Sequence, residues 1–201
     1  MISGPDILNA SILIVDDQEP NVSLLEELLR EAGYTHVTST MNPQEVCALH
    51  RKHRYDLILL DLQMPVMDGF QVMAGLKANA GDSYLPVIVL TAQPGHKLRA
   101  LQSGARDFIS KPFDLVEVKT RIRNMLEVRL LYKKLENYNK ELEQTVLERT
   151  AELRESEARY RSLTELASDW YWEQDENGNF TKVSGPVLEM LGIQVSPLLG
   201  T

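Results

Sequence analysis

With 201 residues, 43% hydrophobic and 25% charged, the chain has the make-up of a globular protein with room for one full domain and a smaller piece. Its net charge of −8 argues against a nucleic-acid-binding surface, which needs clustered Lys and Arg. One cysteine, Cys47, excludes an internal disulfide, and with no apolar run near the ~18 residues of a membrane span and no secretory leader core the expected location is the cytoplasm.

The first strand, Ser11-Ile12-Leu13-Ile14-Val15, is continuously apolar and ends in the acidic pair Asp16-Asp17. A helix is predicted from Pro20 to about Ala32, with proline tolerated in its first turn and Gly33 stopping it. A short strand around Val37 follows, and then Asn42-Pro43-Gln44-Glu45 opens a second helix with a capping signal. Cys47 reads as a small apolar residue on that helix, and His50 and His53, flanked by Arg51, Lys52 and Arg54, as part of a solvated face. Leu57-Ile58-Leu59-Leu60 and Val87-Ile88-Val89-Leu90 are the next buried strands. A helix starting at Asp68-Gly69 lies between them, a helix closed by Gly104 comes after, and Asp107-Phe108-Ile109 is the last short strand.

Apolar runs separated by amphipathic helices predict a five-stranded parallel, doubly wound α/β sheet covered on both faces. Such a sheet places its ligand crevice at the carboxyl ends of the strands. The polar residues agree. Asp16 and Asp17 follow the first strand, Asp61 ends the third, Thr91 ends the fourth and Lys111 follows the fifth. Three carboxylates brought together repel one another and call for a cation, and oxygen-only ligands in a partly open site suit Mg²⁺. A lysine supplies charge for a phosphoryl oxygen, a threonine hydroxyl can hydrogen-bond the same group, and Asp61 is the carboxylate best placed as nucleophile.

Taken together, Asp16-Asp17, Asp61-Leu62-Gln63-Met64-Pro65-Val66-Met67-Asp68-Gly69, Thr91-Ala92 and Lys111-Pro112-Phe113 resemble the response-regulator receiver domain of two-component signalling, over roughly residues 10–124. The resemblance implies a flavodoxin-like fold and a phosphoryl group accepted on Asp61 from a histidine kinase or phosphotransfer protein. It implies Mg²⁺ held by Asp17, Asp61 and the backbone carbonyl of Gln63, with Asp16 acting largely through water. It also implies that Lys111 pairs with the phosphoryl group and precedes a cis proline, Pro112. Thr91 and Phe108 would form the switch pair, and Gln63 and Gln93 would tune the lifetime of the acyl phosphate.

From Asp114 no proline appears until Pro186 and no glycine until Gly178, so one helix can run to about Ala167, spanning roughly 80 Å. Val128, Leu131, Leu135, Tyr138 and Leu142 follow the spacing of a coiled-coil seam. The step of four to Val146 makes a stutter, and the seam continues weakly through Leu153, Tyr160 and Leu163. A parallel homodimer through residues 125–163 is expected. Beyond it, an aromatic strand from Ala167 to Asp175, a turn at Asp175-Glu176-Asn177-Gly178-Asn179, a strand from Phe180 to Ser184 and a short helix from Pro186 to Leu191 follow in order. With Glu157-Ala158-Arg159-Tyr160-Arg161-Ser162-Leu163 these resemble the opening of a PAS sensor domain, which makes the chain a piece of something longer or leaves it with a loosely held tail. The organisation read is a receiver at 1–124, a helical linker at 125–163 and the start of a PAS domain at 164–201.

Two other functions compete. A Mg²⁺-dependent phosphohydrolase of the haloacid-dehalogenase type also forms an aspartyl phosphate, but places Asp-x-Asp after its first strand, where this chain has Asp16-Asp17-Gln18. A receiver that only docks partners needs no complete set of active-site residues, which this sequence has. The expectation is a phosphoacceptor, not a turnover enzyme.

Overall fold

The structure, a computed structural model, describes residues 2–79, 84–93, 95–166, 171–178 and 180–184. The short helix expected at Pro186–Leu191 and the first residues of the strand expected from Ala167 lie outside them. Two compact units divide the chain, Met1–Tyr138 and Asn139–Thr201.

In the first unit, β1 (Ser11–Val15), β2 (His36–Thr40), β3 (Leu57–Asp61), β4 (Val87–Thr91) and β5 (Asp107–Ser110) form one sheet in the order β2-β1-β3-β4-β5. Every pairing is parallel, as the uninterrupted apolar runs predict. Side chains alternate along each strand and so feed two separate cores. Ile12, Ile14, Leu57, Leu59, Ile88 and Leu90 pack with Leu25 and Leu29 of α2 (Glu19–Glu31) and with Val118, Ile122 and Leu126 of α6 (Leu115–Leu166). Leu13, Val15, Ile58, Leu60 and Val89 point the other way, onto α3 (Val46–His53), α4 (Gly69–Asn79) and α5 (His96–Gln102). Each fully buried Leu or Ile contributes about 1.5–3 kcal/mol relative to exposure, so these two layers supply most of the driving force.

Two local features differ from the sequence reading. A short helix, α1 (Gly4–Leu8), precedes β1, and it has a capping box: the Asp6 amide donates to Ser3 Oγ and the Ser3 amide to Asp6 Oδ2. Its Ile7 enters the core with α2. The second helix also starts later than expected. Asn42 does accept from the Gln44 amide (3.1 Å) and does donate to Glu45 Oε1 (3.1 Å), but these bonds close a 3₁₀ turn, Pro43–Glu45. The Val46 amide bonds the Pro43 carbonyl three residues back, and α3 begins only there.

Helix α6 is 52 residues long and starts where Asp114 caps the amides of Val116 (2.8 Å) and Glu117 (3.0 Å). Val118, Ile122 and Leu126 are fully buried, whereas Leu131, Leu135, Tyr138, Leu142 and Val146 are about half exposed or more. In the second unit, β6 (Tyr171–Gln174) and β7 (Phe180–Ser184) pair antiparallel. Gly178 has φ +81°, and its amide reaches the Asp175 carbonyl at 3.0 Å, as the Asn-Gly signal requires. No helix among the described residues is long and apolar enough to cross a membrane.

Candidate functional site

Parallel strands deliver their trailing residues to one edge, and in this order the winding reverses between β1 and β3. Asp16 and Asp17 leave β1 there and Asp61 is the last residue of β3, so the three carboxylates meet with ligand atoms within 4.8 Å of one another. Asp16 and Asp61 are buried and Asp17 is half-buried. Lys111, just past β5, reaches across the strand ends to Asp16 Oδ2 (2.7 Å) and Asp61 Oδ1 (3.0 Å).

One ammonium cannot balance three carboxylates. Burial pushes the Asp61 carboxyl above its ordinary value, the charges of Asp16 and Asp17 push the same way, and the bond from Lys111 opposes them. Burial would lower the Lys111 pKa, but its bonds to Asp16 and Asp61 outweigh that and hold it above the usual lysine value. Asp17 Oδ1 is buried with no hydrogen-bond partner. An oxygen donor set with surplus negative charge and one unsatisfied carboxylate oxygen fits a hard divalent cation such as Mg²⁺.

Asp16 is the most heavily restrained of the three. It accepts from the Gln18 amide (2.9 Å), and the Asn21 amide nitrogen donates to both of its oxygens (3.1 Å each). Asn21 was not anticipated from the sequence. Its signal is positional: a side-chain amide in the first turn of α2, five residues after a buried acid.

Thr91 is buried at the end of β4, but its hydroxyl is occupied by the loop, accepting from the Gln93 amide (3.1 Å) and donating to the Gln93 carbonyl (3.4 Å). Phe108 is half-buried, with Lys97 Nζ 4.8 Å and the Arg121 guanidinium 5.5 Å from its ring centroid. Gln63 lies two residues past Asp61, exposed. The Lys111–Pro112 peptide is cis. Gly69 closes the loop from Asp61, its amide bonding the Leu62 carbonyl at 3.1 Å. A Cβ there would lie 2.5 Å from the Asp61 carbonyl oxygen.

Among the described residues the histidines of α3 join no such cluster. His53 is exposed as read from the sequence, but His50 is half-buried, not solvated. Its ring stacks 6.3 Å from that of Tyr55, and burial lowers its pKa below the usual value.

A parallel sheet with three acids and a lysine gathered at the carboxyl ends of its strands defines a flavodoxin-like α/β domain with an acidic site, and residues 12–123 match the response regulator receiver domain. The chain belongs to that family. It is 39% identical over 130 residues to the response regulator PleD of Caulobacter vibrioides, an alignment covering 64% of this chain and 28% of PleD. A Vibrio cholerae protein named "Probable cyclic di-GMP phosphodiesterase" is 31% identical over 181 residues, 89% of this chain and 40% of that protein. The chain thus spans well under half the length of both relatives. Among solved structures, the receiver domain of the sensor histidine kinase PA1611 from Pseudomonas aeruginosa superposes with a TM-score of 0.55 at 30% identity, over 59% of this chain and 98% of that one. That structure holds a magnesium ion in its active-site cleft.

Proposed function

We propose that the protein is a two-component response regulator whose Asp61 accepts a phosphoryl group from the phosphohistidine of a histidine kinase or phosphotransfer protein. The observation that carries this is a buried carboxylate at the end of β3, 3.0 Å from the Lys111 ammonium and crowded by two further carboxylates. An Asp61 oxygen forms the new bond to phosphorus as the phosphorus–nitrogen bond breaks, and the imidazole keeps the electron pair. Asp17, Asp61 and the Gln63 carbonyl would hold Mg²⁺, and Asp16 would act on it through water. When bound, the ion neutralises charge on the transferring group and the carboxylates. Lys111 pairs with a phosphoryl oxygen. The Thr91 hydroxyl exchanges Gln93 for the phosphoryl group, and Phe108 turns into the space it leaves. The added charge of about −1.5 to −2 drives this rearrangement.

On this reading the chain is a phosphoacceptor and not a turnover enzyme. It works in the cytoplasm, does not bind nucleic acid directly, and forms a parallel homodimer through the helix of residues 125–163. The exposed Leu131, Leu135, Tyr138 and Leu142 support the dimer. Residues 164–201 open a PAS-like module. The 181-residue match to the Vibrio protein, which runs past the receiver, supports a linker of shared type.

Incubation with Mg²⁺ and acetyl phosphate should add one phosphoryl group to the native chain and none to Asp61→Asn, read by intact mass. No gain with several donors would leave a phosphorylation-independent docking module.

A further inference from the structure

Asp56 immediately precedes β3, at the opposite end of that strand from Asp61. It is 5% exposed, and a buried carboxylate without compensation costs several kcal/mol. The compensation comes from α6. Lys133 Nζ lies 3.1 Å and Arg129 Nε 3.7 Å from Asp56 Oδ1, while the other oxygen accepts from the Ser11 amide at the start of β1 (3.2 Å). Arg129 is itself 7% exposed and also donates to the Tyr84 carbonyl, just before β4. The Tyr84 ring stacks on Tyr132 at 4.5 Å, and its hydroxyl donates to Met125 Sδ.

Four residues of α6, Met125, Arg129, Tyr132 and Lys133, are therefore tied to the amino ends of β1, β3 and β4. All four lie beyond residue 123, where the family match ends. At 100° per residue, Arg129 and Lys133 point roughly opposite to Leu131 and Leu135, which stand 48% and 55% exposed.

We infer that Asp56, Arg129 and Lys133 form a latch that fixes the direction and rotational setting of the connector helix on the receiver. The first turns of the connector, through Lys133, are then held on the receiver and are not free to swing. Strand β3 carries the phosphoacceptor at one end and the latch at the other, so a displacement of this buried strand reaches the connector directly. The connection to phosphorylation rests on the function proposed above, whereas the latch itself rests on the contacts alone.

Hydrogen exchange on the full chain tests it, comparing native protein with Lys133→Met, which keeps the apolar stem of a half-exposed side chain, and Asp56→Asn, which keeps the contact to Ser11. Both variants should be phosphorylated on Asp61 to the native extent. Amides of residues 127–137 should exchange about tenfold faster in both, with the core strands unchanged. Any change that phosphorylation produces in this segment of the native chain should be lost. Exchange within about threefold of native in both variants would overturn the latch. So would acceleration spread equally over the strands, which would make Asp56 a fold-stabilising residue only. If the native chain takes up no phosphoryl group, the proposed function fails, and the exchange comparison in unmodified protein still decides the latch.

Discussion

Asp61 sits where burial and two like charges favour its protonated form, so folding raises its pKa above the ordinary 3.8. The sign follows from linkage. Stability from the bound proton is fully present below 3.8 and is lost as pH rises through the higher folded value, so this group weakens the metal-free protein at neutral pH. Asp61→Asn removes the penalty. Its melting temperature in EDTA should exceed that of the native chain by a few degrees near neutral pH, the gap closing toward pH 4 and narrowing when Mg²⁺ is added to both. Equal melts at neutral pH without metal would show that Lys111 alone balances the cluster. Gly69 sets a different constraint. A Cβ there meets the Asp61 carbonyl oxygen at 2.5 Å and Leu62 Cα at 2.9 Å, backbone atoms that move only if Asp61 moves. Gly69→Ala should cost about 3 kcal/mol in denaturant titration and slow phosphorylation of Asp61. Gly95→Ala, with nothing within 4 Å of the added atom, should be nearly neutral in both measurements.

At the scale of elements, the three central strands were legible because a parallel sheet covered on both faces demands about four consecutive apolar residues, which β1, β3 and β4 supply. The edge strands β2 and β5 carry only one and two apolar residues. The site was legible for the same reason: once strand ends are known, Asp16, Asp17, Asp61, Thr91 and Lys111 must share an edge. Helix α1 was missed although Ser3-Gly4-Pro5-Asp6 carries its capping signal, because five residues are too few to show a periodicity. The 3₁₀ start of the second helix was missed because a cap motif marks a turn without fixing its pitch. Helix α6 was foreseen from its lack of breakers, and its apolar stripe is exposed through the linker. Replacing both Leu135 and Leu142, 55% and 52% exposed, by Asp should leave receiver melting and Asp61 phosphorylation as in the native chain. Light scattering should then show the mass fall from dimer to monomer. A native chain that is already monomeric at micromolar concentration would remove the homodimer reading.

At the scale of the molecule, what escaped the sequence is what depends on distant pairs. Asp56 lies 73 residues before Arg129 and 77 before Lys133, and nothing local to any of the three announces the meeting. The Asn21 clamp on Asp16 and the occupied Thr91 hydroxyl are local by contrast, five and two residues apart, and escaped because residue types alone leave side-chain pairing open. The division of the sheet into two cores was implicit in the alternation of each strand, and it has a genetic consequence. Leu29 and Met73 belong to different cores, whereas Leu29 and Leu59 share one. Truncation of Leu29 and Met73 together should cost the sum of the single losses, within about 0.5 kcal/mol, while Leu29 with Leu59 should depart from additivity by more. Second-site suppressors of a damaged core residue should therefore map to its own face of the sheet, so that selection works on this small domain as two nearly independent loci of stability.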